Sequence, residues 1–86
     1  MKLKTIVNKV TDGSITSITL EVYNEKNVLE MDFSIEYGIA VVDEARVLCE
    51  KPNEPLKLIK KELKDRGIST IKYKNNASSV DEFVLS

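Results

Sequence analysis

Apolar and polar residues alternate through residues 1–36, a pattern typical of strands that bury one face. Two turn signals, Asp12-Gly13 and the polar run 24–27, divide this region into three stretches. Asp-Gly suits the positive φ angles of a two-residue hairpin, which pairs Val10 with Ile15. Closing both turns symmetrically predicts a three-stranded antiparallel meander, because a one-residue slip would invert a whole strand. Its predicted inner face carries Leu3, Val7, Ile18, Leu20, Val22, Leu29, Met31, Phe33 and Ile35.

A helix is predicted over about residues 54–66, where Leu56, Ile59 and Leu63 recur at helical spacing. We expect Asn53 to cap its start. Gly67 is predicted to end it in a left-handed conformation, with the next residue, Ile68, packing back onto Leu63. Residues 68–74 are rich in β-branched and aromatic side chains, so a strand follows the helix.

Residues 36–50 fit two structures. A helix would place Val41, Val42, Ala45, Leu48 and Cys49 on one face. Two strands, over 39–42 and 46–49, also have suitable residue types, although Asp43-Glu44 would be a poor turn between them. The sequence favours a strand up to about Val42 and does not assign the rest of this segment. A fourth strand within 39–49 that extends the meander is one possibility.

These elements predict one α+β domain over residues 1–86, with the long helix packed across the inner face of the meander. Its 86 residues, 42% of them hydrophobic and 31% charged, are typical of a single globular domain. We expect residues 75–79 to form a loop and residues 80–85 to form an edge strand or a helical turn. The C-terminal segment 77–86 is expected to be loosely ordered, as chain ends often are.

The composition argues against most catalytic chemistry. The chain has no histidine, which removes the imidazole base and the usual zinc ligand sets. Cys49 is the one cysteine, so no intrachain disulfide forms, and we interpret it as a buried structural thiol. The three glycines are isolated and build no phosphate-binding loop. We therefore expect no enzyme activity, no catalytic residues, no metal ligands and no cofactor.

Four lysines of the predicted helix fall on one stripe clear of its apolar face: Lys57, Lys60, Lys61 and Lys64. Such a stripe is typical of an ordinary solvent-facing helix surface. It would also suit an acidic protein surface or a phosphate backbone. The net charge of −1 and the presence of only two arginines argue against nucleic acid.

Acidic residues collect on the predicted outer face of the meander, where Glu21 lies opposite Glu30 with Asp32 and Glu36 farther along the strand. Like charges directly opposite each other are unfavourable in a sheet, and Lys4 on the other side of Glu21 offsets part of this. The group is interpreted as a solvated acidic face, with a partner-docking surface or a Mg²⁺ or Ca²⁺ site as alternatives. No EF-hand spacing supports the cation.

Apolar residues also occur on the predicted outer face: Ile6, Val10 and Ile15 near the first turn, and Tyr23 paired with Val28 near the second. A fully solvated face would not need them. Either residues 36–50 or the C-terminus covers them, or a second subunit does, which predicts a homodimer as one hypothesis.

The sequence thus favours a small cytoplasmic interaction or regulatory protein that acts by surface contact on another macromolecule, most simply another protein. A nucleic-acid-binding module that uses the lysine stripe is the first alternative. A histidine-free enzyme or a carboxylate metal-binding protein is the second. The cytoplasmic expectation rests on the single cysteine and on the lack of an apolar run long enough for a signal peptide or a membrane span.

Overall fold

The computed structural model describes residues 1–74 and 80–85, in which six strands form one sheet and one helix packs on it. The strands lie across the sheet in chain order, and every neighbouring pair is antiparallel except β4–β5. The parallel pair requires a crossover, which the helix supplies. The predicted α+β fold is confirmed. The elements are β1 (Lys2–Thr11), β2 (Ser14–Asn24), β3 (Lys26–Glu36), β4 (Ile39–Val47), α1 (Asn53–Asp65), β5 (Thr70–Lys74) and β6 (Val80–Val84).

The predicted register of the meander is confirmed over its central rows. Leu20 of β2 lies opposite Thr5 of β1 and Met31 of β3, as symmetric closure of the two turns requires. The first turn has the expected chemistry, since Asp12 and Gly13 have φ angles of 51° and 80°. Glu21 also lies opposite both Lys4 and Glu30, as predicted.

An irregularity near Lys9 corrects the predicted placement of Val10 and Ile15. The two residues pair as predicted, but the register between Val7 and Val10 shifts and then recovers. Such a bulge inverts the alternation of side chains beyond it. Ile15 consequently packs against the core on the helix side and shares a shallow cavity with Ile68. Its cross-strand partner Val10 lies on that side too, so the prediction that both face outward is wrong.

The second hairpin is tighter than the predicted turn over residues 24–27. Its turn residue is Glu25, with a φ angle of 62°. Tyr23 therefore lies opposite Asn27. The predicted pairing of Tyr23 with Val28 is wrong, because the register shifts by one residue after Val22.

Strand β4 resolves the ambiguity of residues 36–50. The first apolar run, 39–42, and the start of the second belong to one strand, which ends at Val47. Its register with β3 shifts between Asp32 and Phe33. Asp43 is the extra residue of this bulge. Asp43-Glu44 is a poor turn sequence because both residues lie within a strand. Beyond it the alternation inverts, so Val42 and Ala45 both face the helix side, opposite Phe33 and Met31.

Helix α1 begins differently from the prediction and ends as predicted. Pro52 is its N-cap, Asn53 is already helical, and no side chain caps the first turn, so the capping role of Asn53 is wrong. At the other end Gly67 has a φ angle of 85°. The Ile68 amide donates to the Leu63 carbonyl at 3.0 Å, which is the long bond of a Schellman motif.

The core lies between α1 and the strands β2 and β3. Each fully buried aliphatic or aromatic side chain contributes about 1.5–3 kcal/mol relative to an exposed one. The buried apolar residues are Ile18, Leu20, Val22, Leu29, Phe33, Ala40, Ile59, Leu63, Ile68 and Ile71.

Strand β6 lies within the segment 77–86 that was expected to be loosely ordered, and it pairs with β5. Of the two structures predicted for 80–85, the edge strand is therefore confirmed. The predicted loop 75–79 lies outside the described residues, as does residue 86. No helix among the described residues is long and apolar enough to cross a membrane.

Candidate functional site

A groove of about 680 Å³ lies on the helix side of the sheet, between α1 and the strands β4 and β5. It exists because α1 packs mainly over β2 and β3 and leaves part of β4 and β5 open to water. The walls are mainly apolar, and the size is within the range of ligand and peptide pockets, about 300–1,000 Å³. Its described lining includes Met31, Val42, Ala45, Leu56, Ile71 and Tyr73.

The bulge at Asp43 shapes this groove. It turns Ala45 towards the helix side, and alanine is too short to fill the space between the strand and Leu56. Ala45 is exposed, while Met31, Val42 and Leu56 remain half-buried. The groove was missed from the sequence because residues 36–50 had no single assignment. The Asp-Glu pair within an otherwise apolar run was the signal that would have suggested a bulge.

The helix wall of the groove is basic. Lys60 is half-buried and lines the groove, whereas Lys57, Lys61 and Lys64 are exposed on α1. The ammonium of Lys57 lies 3.3 Å from the Glu54 carboxylate in an exposed i,i+3 pair. The structure thus places the four predicted lysines on one helix, with Lys60 at the groove.

Two carboxylates belong to residues on the strand wall, and both have partners. The Ser34 hydroxyl donates to Asp43 at 2.6 Å, and the Arg46 guanidinium donates to Glu44 at 3.1 Å. Ser34 and Arg46 lie on the side of the sheet away from α1, so these contacts hold the two carboxylates towards that side. The charge nearest the apolar floor is therefore mainly that of the lysines.

The opposite side, which we call the open face, carries a row of charged residues across four strands. Lys4, Glu21, Glu30 and Arg46 lie in register on β1, β2, β3 and β4. Arg46 donates to Glu30 as well as to Glu44. Sequence reasoning missed Arg46, which only the assignment of β4 brings beside Glu30.

The two facing glutamates have displaced pKa values. A hydrogen bond to Glu30, then burial and the charge of Glu30, raise the pKa of Glu21. The same hydrogen bond and the Arg46 guanidinium lower the pKa of Glu30. The contacts with Glu30 and Glu44 raise the pKa of Arg46. Of the two carboxyls, Glu21 therefore binds a proton more readily than Glu30.

A second row on the open face is built on Thr19, which is 8% exposed. The Asn8 amide donates to the Thr19 hydroxyl at 2.8 Å, and that hydroxyl donates to Asp32 at 2.7 Å. Asp32 is thereby fixed by a neutral donor. The predicted register already placed Thr19 opposite Asp32, so this contact was accessible from the sequence.

The structure does not gather all four predicted acids into one site. Glu36 lies six residues beyond Glu30 on β3, which corresponds to about 20 Å along a strand. Within the described part of the chain, no three acidic or thiol side chains are grouped to hold a metal ion. Cys49 is partly exposed, in contrast to the predicted buried thiol.

The residues predicted for self-association do not form one patch. Ile6 is half-buried and lies on the open face beside Thr19, whereas Val10 and Ile15 lie on the helix side. Neither residues 36–50 nor β6 covers the open face, because both belong to the sheet itself. The covering segment that the sequence suggested is therefore absent from the described residues.

Comparison with protein-family models, with curated proteins and with solved structures finds no match to this chain. Function is therefore inferred from the groove and from the lysines beside it. A fold alone would not decide the function in any case, because one fold supports many activities.

Proposed function

We propose that this chain is a small interaction protein that binds a segment of another protein in the groove between α1 and β4–β5. The groove is the observation that carries this proposal. A concave, mainly apolar site with a few polar groups at its edge is the usual form of a binding site. The central apolar residues of the helix side, such as Leu20 and Phe33, are fully buried, whereas the apolar lining of the groove is open to water.

The charge around the groove favours an amphipathic segment with acidic residues along one edge. Apolar anchors would contact Met31, Val42 and Leu56, while carboxylates would lie near Lys57 and Lys60. Recognition of this kind combines burial of a few anchors with electrostatic selection of the partner. The protein contributes a surface and no chemistry of its own.

A cytoplasmic location is part of the same proposal. It is supported by the single, partly exposed Cys49, since a free thiol persists most easily in a reducing compartment.

The test is a selection of short random peptides displayed on phage, with the folded protein as bait. We expect enriched peptides that combine two or three apolar residues with aspartate or glutamate. Ala45→Glu places a carboxylate at the mouth of the groove and should weaken the selected peptides at least tenfold. The matched control, Asn27→Glu, adds the same charge at the β2–β3 hairpin and should change nothing.

Peptides that bind the wild type and Ala45→Glu equally would contradict the groove as the site. A failure to enrich any sequence family would contradict the proposed function. Titration of mixed-sequence DNA tests the nucleic-acid alternative, because four phosphate contacts would give log K a slope of about −3 to −4 in log[salt]. We expect no such binding. Sub-micromolar affinity that Lys57→Glu with Lys61→Glu abolishes would replace the peptide proposal.

A further inference from the structure

Strand β4 has an unpaired backbone edge beside the groove. On one side β4 pairs with β3 as far as Val47, whereas on the other side its pairing with β5 ends at Val41. The bulge at Asp43 follows within two residues, and a bulge bends its strand and can end pairing there. Among the described residues, no strand pairs with this side of β4 from Glu44 to Val47, a stretch that we call the free edge. Every residue of the free edge is exposed.

The hydrogen bonds between β3 and β4 show which backbone groups the free edge presents. The Leu48 amide donates to the Val28 carbonyl at 3.0 Å, in the register of the β3–β4 ladder. Hydrogen-bonded and non-bonded residues alternate along an antiparallel ladder, so the backbone of Arg46 also bonds to β3. The N–H and C=O groups of Ala45 and Val47 therefore point away from β3, towards the gap that β5 leaves.

The outer edge of the sheet, at β1, differs from the free edge. Strand β1 carries Lys2, Lys4 and Lys9 and has a bulge, and both features keep a sheet edge from pairing with other chains. The free edge carries no lysine. Its charged residues, Glu44 and Arg46, pair with each other on the open face. The free edge is therefore less protected than β1, and it borders an apolar groove.

We infer that the partner segment binds as an extended strand, which adds to β4 at Ala45 and Val47 and places alternate side chains in the groove. This inference rests on the proposed function, because it specifies how the partner of the groove binds. An extended segment satisfies the outward N–H and C=O groups of the free edge. A helix bonds its own backbone and would leave these groups to water, so the free edge favours a strand.

The surroundings of the free edge define the chemistry of this strand. Residues opposite each other on neighbouring strands point to the same side of a sheet, so those opposite Ala45 and Val47 face the helix side. The space between Ala45 and Leu56 suits an apolar anchor there, and Lys60 on the helix wall favours a carboxylate. The intervening residues lie on the open face and can be polar. The partner is therefore an extended segment that alternates apolar or acidic residues with polar ones.

Amide hydrogen exchange of the full chain, followed by NMR, tests the inference at single residues. In the free protein the Ala45 and Val47 amides should exchange about tenfold or more faster than those of Arg46 and Leu48, because only the latter donate to β3. The most enriched peptide of the phage selection is then added at saturation. It should slow exchange at Ala45 and Val47 by about tenfold or more and leave Arg46 and Leu48 almost unchanged.

Backbone changes in either molecule provide a second test. Val47→Pro removes one outward N–H group, and proline is tolerated in a strand where that group would face solvent. This variant should weaken the same peptide by about tenfold, whereas the matched control Val47→Thr keeps both the N–H group and the β-branched shape and should bind like the wild type. N-methyl groups scanned along the peptide should weaken binding at alternate positions only, because alternate amides of an added strand donate to β4.

The outcomes separate this inference from the proposed function. A peptide that Ala45→Glu weakens, but that does not protect the Ala45 and Val47 amides, would overturn the strand and leave the groove as the site. Loss of binding on N-methylation at consecutive positions, as for a helical peptide, would do the same. Slow exchange of these two amides in the free protein, including slowing by a second copy at high concentration, would contradict the free edge itself. A selection that yields no binding peptide would overturn both proposals.

Circular dichroism of Val47→Pro checks its folding. If this variant does not fold, the exchange measurement and the N-methyl scan decide the question, because both use the wild-type protein.

Discussion

The two sides of the sheet are built from alternate residues of the same strands, yet they are stabilised differently. On the helix side Leu20 and Phe33 are fully buried in an apolar core. On the open face the most buried residue is Thr19, held by hydrogen bonds to Asn8 and Asp32. Burial is non-directional and large, whereas hydrogen bonds and exposed charges are directional and small. The helix side therefore contributes most of the free energy of unfolding. The hydrogen bonds of the open face mainly fix the orientation of individual side chains.

The largest expected effect is on the helix side. Leu63→Ala should lower the free energy of unfolding by about 2–5 kcal/mol, because Leu63 is fully buried and its loss leaves a cavity. Leu58→Ala should cost clearly less, since Leu58 is only half-buried at the margin of the core. Urea unfolding of both variants measures the difference. Equal losses would mean that α1 presents a different face to the sheet.

A smaller effect is expected for the buried hydroxyl of the open face. Thr19→Val should destabilise the protein by about 1–2 kcal/mol, because it removes the donor to Asp32 and the acceptor for Asn8 at nearly constant volume. Thr16→Val is the control: its hydroxyl bonds Thr11 at 3.1 Å in an exposed position, and its removal should change stability by less than about 0.5 kcal/mol. Thermal melts compare the two, and identical melting temperatures would contradict a structural role for Thr19.

The smallest effect concerns the pH dependence of the glutamate pair. Because the pKa of Glu21 is raised, the folded protein binds the proton of Glu21 more tightly than the unfolded chain does. The contribution of Glu21 to stability is therefore lost as pH rises through its pKa in the folded protein. The lowered pKa of Glu30 acts in the opposite sense. The contribution of Glu30 to stability is complete above its pKa in the unfolded chain. It is lost as pH falls through its pKa in the folded protein.

Glu21→Gln isolates the first of these terms, because glutamine can still donate to Glu30 and does not titrate. Between about pH 4 and about pH 7 the stability of the variant should increase relative to that of the wild type. Urea midpoints across this range measure the change. A constant difference between the two proteins would mean that Glu21 titrates alike in the folded and unfolded states.

Much of this structure was accessible from the sequence, because the signals involved are local. The Asp12-Gly13 turn and the alternation around it define the register of β1, β2 and β3. Gly67 and Ile68 define the end of α1 through backbone conformation and one hydrogen bond. The facing of Glu21 and Glu30, and the lysines of α1, follow from those elements. Each of these features depends on residues adjacent in the chain or on a short hairpin.

Only the tertiary structure decided the bulges, the path of β4 and the groove beside α1. The bulge at Asp43 depends on what β3 offers across the gap, including the hydroxyl of Ser34, so the Asp-Glu pair could suggest it but not decide it. The groove exists because α1 packs mainly over β2 and β3 and leaves part of β4 and β5 open to water. Such features arise from contacts between distant residues, where packing and hydrogen bonding override local preference.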